Sequence, residues 1–327
     1  MKARPVPISW HPDISIYASE SFLKAVGDEY GWIGGFDNSD NLRCILPYTI
    51  IHKAVFRMVR FRMETISIDK ALELEEEKSF LNSVVAYFRS IKADMIIPAT
   101  TNTIFRTYPD GAIVASYGTY INDLSKSEET ILSELNSSHR RKLRLAVKAS
   151  VQIHSGMEYL PIAYELVRDT FKRSKMGFMD FESFKRYVFS LNENVRILVA
   201  EYKGVIQCCV VVPFSNYCAY YVYGGSILEP ETGATNLLHW EAMKLFRSLG
   251  VKRYDFVGVR IDPEKGTRQE GLLLYKQRFG GSLVQGYMWK HPIRPLKYAV
   301  YSLAVSLLRG GDIVDLECGK LKTTYTG

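Results

Sequence analysis

Between Arg253 and Gly281 the chain reads RYDFVGVRIDPEKGTRQEGLLLYKQRFGG, the stretch best equipped for chemistry. A strand ends at Asp255-Phe256-Val257-Gly258, a polar loop follows, and a helix then presents Tyr275-Lys276-Gln277-Arg278-Phe279. Asp255 is the nearest general-base candidate, although a carboxylate at a strand end is more often structural. By residue type alone, Lys276 is expected on the surface. A second group is the basic run His139-Arg140-Arg141-Lys142-Leu143-Arg144, which extends to Lys148. Arg140, Arg144 and Lys148 stand four apart and share a helix face, with Leu143 and Val147 expected opposite. Guanidinium groups in a row suit phosphates, and a solvated helix face is the alternative. A third group is Tyr217, Tyr220, Tyr221 and Tyr223. Alternation puts Tyr221 and Tyr223 on one strand face, lining a cleft or pairing in the core. His239 is expected on the exposed side of its helix.

Several chemistries are excluded by pattern. There is no HExxH, no GxSxG, no Walker loop and no GxGxxG opening a helix, and the six histidines have no ligand spacing. No metal site is therefore expected. The five cysteines form no CxxC and are odd in number, so they are expected as core residues of a reducing compartment.

These residues must be carried by regular elements. Val195 to Ser226 contains three β-rich runs parted by Lys203-Gly204 and Ser215-Asn216, a three-stranded meander. A polar loop leads to a helix from about Ala234 to Leu249, with Leu238, Ala242, Leu245, Phe246 and Leu249 on one face. A strand, Arg253 to Val257, a helix, Arg268 to Phe279, and a strand, Ser282 to Trp289, complete the unit. The first half repeats the order more weakly: strands at Trp32–Phe36, Leu42–His52 and Val55–Phe61, a helix from Ala71 to Arg89, and a strand at Asp94–Pro98. Between the halves, Ser125-Lys126-Ser127-Glu128 opens one long polar helix ending near Ala149. Two more helices follow, about Glu158 to Lys175 and Asp180 to Leu191.

The chain has 327 residues, 47% hydrophobic and 24% charged, a balance that excludes disorder and fibre. Lys+Arg 42 against Asp+Glu 35 gives +7, which suits an anionic partner such as RNA, a nucleotide, a phospholipid surface or a cell-wall precursor. The N-terminus lacks an apolar signal region, and the longest weakly charged run, Tyr298 to Leu308, is too short to span a bilayer. A cytoplasmic protein is expected, with peripheral association at the inner face of the membrane as the alternative.

Meander, loop, helix and strand form the core order of the GNAT acyltransferase fold, and two such units predict an α/β tandem GNAT-like protein. Each subdomain is expected as a mostly antiparallel mixed sheet flanked by helices. The boundaries expected are 1–125, with 290–327 packing back onto it, and 126–289, which carries the donor site. The stretch around Lys276 resembles the C-terminal signature of the FemABX family, a strand Asp-x-Gly-Gly/Val and then Gly-Leu-x-x-Phe/Tyr-Lys-x-x-Phe-Gly. Ser137 to Arg144 resembles that family's Ser-x-x-x-Arg-x-x-Ile/Leu-Arg helix, and Asn236 to Ala242 its Leu-x-Trp-Glu-Ala helix. The matches run in order from Ser137 to Gly281.

The resemblance implies an aminoacyl-tRNA donor and an amine acceptor on a lipid- or nucleotide-linked envelope precursor. Tyr275 and Lys276 would then sit at the donor's aminoacyl end, and Arg140, Arg144 and Arg278 would hold phosphates. Asn236, Tyr221 and Tyr223 would face the acceptor. Two departures stand out. Asn236 occupies the place where precursor enzymes offer a tyrosine, and Lys24 is only near the place of their N-terminal precursor-binding lysine. The loop Glu231 to Asn236 lies where GNAT enzymes bind the pyrophosphate of coenzyme A but lacks the Gln/Arg-x-x-Gly-x-Gly/Ala signature. An acyl-CoA donor acting on a sugar, lipid or natural-product amine is the second reading, and a catalytically inactive RNA- or precursor-binding module is the third. The helix that Pro295 initiates carries a wide apolar face, expected to pack on the N-terminal subdomain or to dock at a membrane interface.

Overall fold

A computed structural model describes residues 1–324. The strands of the first part are β1 (Lys2–Val6), β2 (Glu29–Phe36), β3 (Leu42–Lys53), β4 (Phe56–Phe61), β5 (Ile66–Ser67), β6 (Met95–Ile96) and β7 (Ile113–Asp123). Its helices are α1 (Glu20–Val26) and α2 (Leu74–Ser90). There follow α3 (Glu128–Glu134), α4 (Ser137–Lys148), β8 (Gln152–Ser155), α5 (Leu160–Arg173) and α6 (Phe181–Ser190). The second meander is β9 (Val195–Tyr202), β10 (Val205–Pro213), β11 (Ala219–Tyr220) and β12 (Tyr223–Ser226). After it come α7 (Ala234–Ser248), β13 (Arg253–Asp255), α8 (Arg268–Gln277), β14 (Ser282–Pro292), α9 (Pro295–Arg309) and α10 (Ile313–Thr324). The elements read from the sequence occur in the order expected, apart from the two corrections below, and β1, α1, β5, β7, β8 and α10 are present in addition to them. The last three residues of the segment expected to pack back, 290–327, lie outside the described residues.

The chain divides into two compact units. The first comprises Met1–Trp10, Tyr17–Gly118 and the chain from Val284 on; the second comprises His11–Ile16 and Thr119–Leu283. In the first unit β1, β2, β3, β4, β6, β14 and β7 are neighbours in that order. All the described pairings there are antiparallel except β4 with β6. That parallel pair follows from the intervening α2, since a helical crossover returns the chain in its original direction. Phe80, Leu81, Val84, Val85 and Phe88 recur at helical spacing on α2 and bury against Ile33, Cys44, Leu46, Phe61 and Trp289.

The second unit is layered. β12, β10, β9 and β8 form an antiparallel sheet. α5 packs on β10 and β12, whereas α7 packs on β9 and β10 and in turn touches α4. Two expectations are corrected here. The helix opened by Ser127 does not run on to Ala149: it breaks at Asn136, whose side chain accepts from Ser138 N at 2.9 Å and so caps α4. The third strand of the meander is also split. Ala219 and Tyr220 pair in parallel with Tyr254 and Asp255, whereas Tyr223 to Ser226 pair with β10. Between them the Tyr221 ring folds over Gly224, filling the place a Cβ would take.

Glycine decides how closely α7 meets α4. Gly233 caps α7 at φ +84°, and a Cβ there would collide with the Lys142 carbonyl. Gly233→Ala is expected to cost roughly 2–3 kcal/mol, read as a lowered urea midpoint with unchanged m-value.

Candidate active site

The site begins where β13 stops. Val257 has φ +51° and Gly258 φ +41°, so two successive residues are left-handed. For a β-branched residue this costs roughly 1–3 kcal/mol, and three groups hold it. The Asp255 carboxylate accepts from Val257 N at 2.7 Å and from the Thr119 hydroxyl at 2.5 Å. Phe256 N donates to Tyr120 O at 3.0 Å. The Lys276 ammonium, brought in by α8, donates to Val257 O and, at 2.9 Å, to Gly258 O.

Lys276 is therefore not the surface lysine that residue type suggests: it is 5% exposed. The reason is that the left-handed turn aims two carbonyls inward and gives a buried cation partners. Burial pulls its pKa down to about 8, with the Asp255 charge opposing. Burial also pushes Asp255 up to about 6, against the Thr119 and Val257 hydrogen bonds and the Lys276 charge.

Tyr275 lies among His139, Phe279 and His239, with ring centroids 5.4, 5.2 and 6.1 Å away. Phe256 stacks on Phe279 at 4.7 Å. His239, expected at the surface, is fully buried. α7 lies between the sheet and α4, so little of its circumference meets solvent. Its Nδ1 pairs with the Tyr254 hydroxyl at 3.0 Å, and Tyr221 meets the ring edge-on at 4.4 Å. Burial, with the Lys276 charge adding to it, drives His239 down to about 3, and burial holds His139 at about 4, so both imidazoles are neutral. Asn236 precedes His239 by one helical turn on the same face. His239 Nε2, His139 Nδ1, Asn236 Nδ2 and the Tyr275 hydroxyl are buried without a hydrogen-bond partner among the described residues. Buried polar atoms so left are where a polar ligand or ordered water completes a network.

A groove between α4 and α7 supplies the charge. It encloses about 570 Å³ and is lined by Arg140, Arg144, Lys148 and Lys244, with Trp240 and Leu143 among the apolar walls. Arg140 also donates to the Ser133 and Leu135 carbonyls at the end of α3. Val147, expected opposite the cations, is exposed and lines the same groove. Arg278 is exposed just after α8, and its carbonyl accepts from Asn136 N at 2.9 Å, next to the start of α4.

The structure thus gathers Lys276, Asp255, Tyr275 and Tyr221 around one aromatic core, with Asn236 one turn before His239 on α7 and Arg140 and Arg144 along the groove. Tyr223 is not among them. Because the strand splits at Tyr221-Val222, Tyr223 joins Phe178, Phe184 and Tyr187, with centroids 5.4, 5.6 and 5.6 Å away, and the shared face with Tyr221 does not exist. Sequence reasoning missed Thr119, His139 and His239. Only the Asn236–His239 spacing on one helix face offered a signal for the last.

The buried amine has a measurable consequence. Lys276 binds its proton less tightly in the folded chain (about 8) than in the unfolded one (10.5). The unfolded state therefore holds more protons between these values, and stability rises with pH across that window. Relative to Lys276→Met, the parent chain is expected to gain about 3 kcal/mol from pH 8 to 10.5. Urea unfolding at stepped pH reads this, and a difference flat with pH would mean the amine is solvated.

Residues 203–306, which include β13, α8 and Lys276, match the model of the FemAB family. Over 131 residues, 39% of this chain, the sequence is 27% identical to the Lipid II:glycine glycyltransferase of Staphylococcus haemolyticus. That match spans 31% of the relative's own length. The crystal structure of FemX superposes with a TM-score of 0.66 at 14% identity, covering 92% of this chain and 99% of FemX. L-PGS from Bacillus licheniformis superposes with a TM-score of 0.50 at 10% identity, covering 86% and 89%. At these identities the structural likenesses establish the fold, an α/β arrangement of mixed sheets flanked by helices, as expected. The family model spans the signature read from the sequence, so the segment carrying β13, α8 and Lys276 is similar to the FemAB family.

Proposed function

We propose that this protein is a Fem-type transferase that moves an aminoacyl group from aminoacyl-tRNA to an amine of a peptidoglycan precursor. The observation that carries the proposal is the Lys276 ammonium, buried on the Val257–Gly258 carbonyls beside Tyr275. An ammonium has three N–H donors, and two are engaged, so one is left for an incoming oxygen. An aminoacyl ester is already activated, and the protein has to align the acceptor amine on its carbonyl carbon. The amine forms the new C–N bond, and the negative charge on the former carbonyl oxygen is met by Lys276 in a low-dielectric setting. Collapse breaks the ester C–O bond, and the proton lost by the amine ends on the ribose hydroxyl that leaves. Asp255 acts through the turn, holding Val257 where its carbonyl receives Lys276; it is a positioning residue in this reading.

The α4–α7 groove supports an RNA donor. Arg140, Arg144, Lys148 and Lys244 offer phosphate contacts, and Trp240 a face on which a base can stack. The acyl-CoA reading has less support, because the Gly233 turn that would receive a pyrophosphate is packed on the backbone of α4. A lipid-linked acceptor is supported by the relative whose name specifies Lipid II.

Titration with charged bulk tRNA, uncharged tRNA and acetyl-CoA over a salt series tests the donor. Preference for charged tRNA is expected to persist as salt rises, whereas saturable acetyl-CoA binding without that preference would sink the proposal. Arg144→Glu is expected to weaken tRNA binding and flatten its log–log salt slope by about 1. In single-turnover transfer, Lys276→Ala is expected to slow the chemical step by roughly 10²–10³-fold. The parent rate should fall above about pH 8, as Lys276 loses its proton.

A further inference from the structure

The helix α9 in the first unit is anchored by one face only. Tyr298 and Tyr301 pack on the cluster of Met58, Met95 and Ile97, and Tyr301 meets Phe56 edge-on at 5.6 Å. The other face carries Leu296, Val300, Leu303 and Leu307 at spacings of four, three and four, a single stripe. Leu296 and Leu308, at 86% and 82%, are the most exposed large hydrophobic residues among the described ones, and Leu307 reaches 78%. An apolar surface of this kind marks an interface.

Charge identifies what covers it. Pro295–Arg309 contains no carboxylate. Lys297 and Arg294 share one buried carboxylate, Asp94, at 3.0 and 3.5 Å, and Lys290 beside Tyr298 pairs with Asp312 and Asp315. Lys297 also donates to Val55 O at 3.0 Å, tying the exposed Val55 at the β3–β4 turn to the helix. Lys53 and Arg60 line a cavity of about 340 Å³ together with Tyr301, Ala304 and Leu308. A leucine stripe bordered by cations is complementary to an anionic lipid surface. A second copy of the chain is a poorer partner, because self-pairing about a two-fold axis would bring the same cations face to face. With 15 residues, α9 is about 22 Å long. No helix among the described residues is long and apolar enough to cross a membrane.

We infer that α9 lies in the interfacial plane of an anionic bilayer, with Leu296, Val300, Leu303 and Leu307 inserted and Lys53 at the lipid phosphates. The inference concerns the first unit alone and stands whether or not the transfer reaction is the one proposed. The test is co-sedimentation of the full chain with vesicles of phosphatidylglycerol and phosphatidylcholine, and with phosphatidylcholine alone. Binding is expected to need phosphatidylglycerol, to weaken with salt, and to fall at least tenfold in the Leu303→Glu/Leu307→Glu double variant. Leu228→Glu, at a comparably exposed leucine of the second unit, should leave it unchanged. Absence of vesicle binding, or an equal loss in Leu228→Glu, would overturn the inference. So would a parent chain that sediments as a dimer and becomes monomeric in the double variant without ever binding vesicles. The urea midpoint of the double variant should equal that of the parent; a large drop would mean the stripe is covered within the fold.

Discussion

The second unit depends on a buried cation finding partners. An ammonium taken out of water is costly unless hydrogen bonds replace its hydration, and Lys276 obtains them from two adjacent main-chain carbonyls. Those carbonyls turn inward because Val257 and Gly258 are left-handed, a conformation that Val257 adopts against its own preference. The strain is held by Asp255 and Thr119 on one side and by Lys276 on the other. Each member of the set therefore maintains the geometry that another requires. Strand end, turn and helix are locked at the same place.

Around this lock the fold supplies dryness. Phe256, Phe279 and the rings of Tyr275, Tyr254 and Tyr221 surround His239, and burial keeps both His239 and His139 neutral. A neutral imidazole can position a polar group without adding a second charge beside Lys276. The layer order of sheet, α7 and α4 produces this surrounding, and the close seat of Gly233 on Lys142 holds α7 against α4. The same packing leaves the cations of α4 at the groove edge, in reach of solvent. Low dielectric at the lysine and solvated charge along the helix are thus produced by one arrangement.

Much of this was legible before any coordinates. The meanders followed from β-branched and aromatic runs parted by turn residues, and α7 from its helical apolar spacing. The motif around Tyr275-Lys276 carried the family resemblance. Two local errors share a cause. Ser127 to Ala149 reads as one helix because its periodicity is nearly continuous, yet Asn136 gains more as a cap than as an interior residue. Tyr221 and Tyr223 alternate as a strand should, yet burying the Tyr221 ring against His239 outweighs keeping the strand continuous.

By itself the sequence determined the order and type of most elements, the family resemblance, and the residues able to do chemistry. These depend on short-range periodicity, turn chemistry and residue type, all written within a few positions of one another. Tertiary structure alone decided that Lys276 is buried, that His239 faces inward, that Tyr223 belongs to a different aromatic cluster, and that Thr119 steadies Asp255. Each of these turns on contacts between segments distant in the chain, 136 residues apart for Thr119 and Asp255. Burial and long-range pairing are properties of the packed layers, and no local pattern encodes which neighbour will exclude the water.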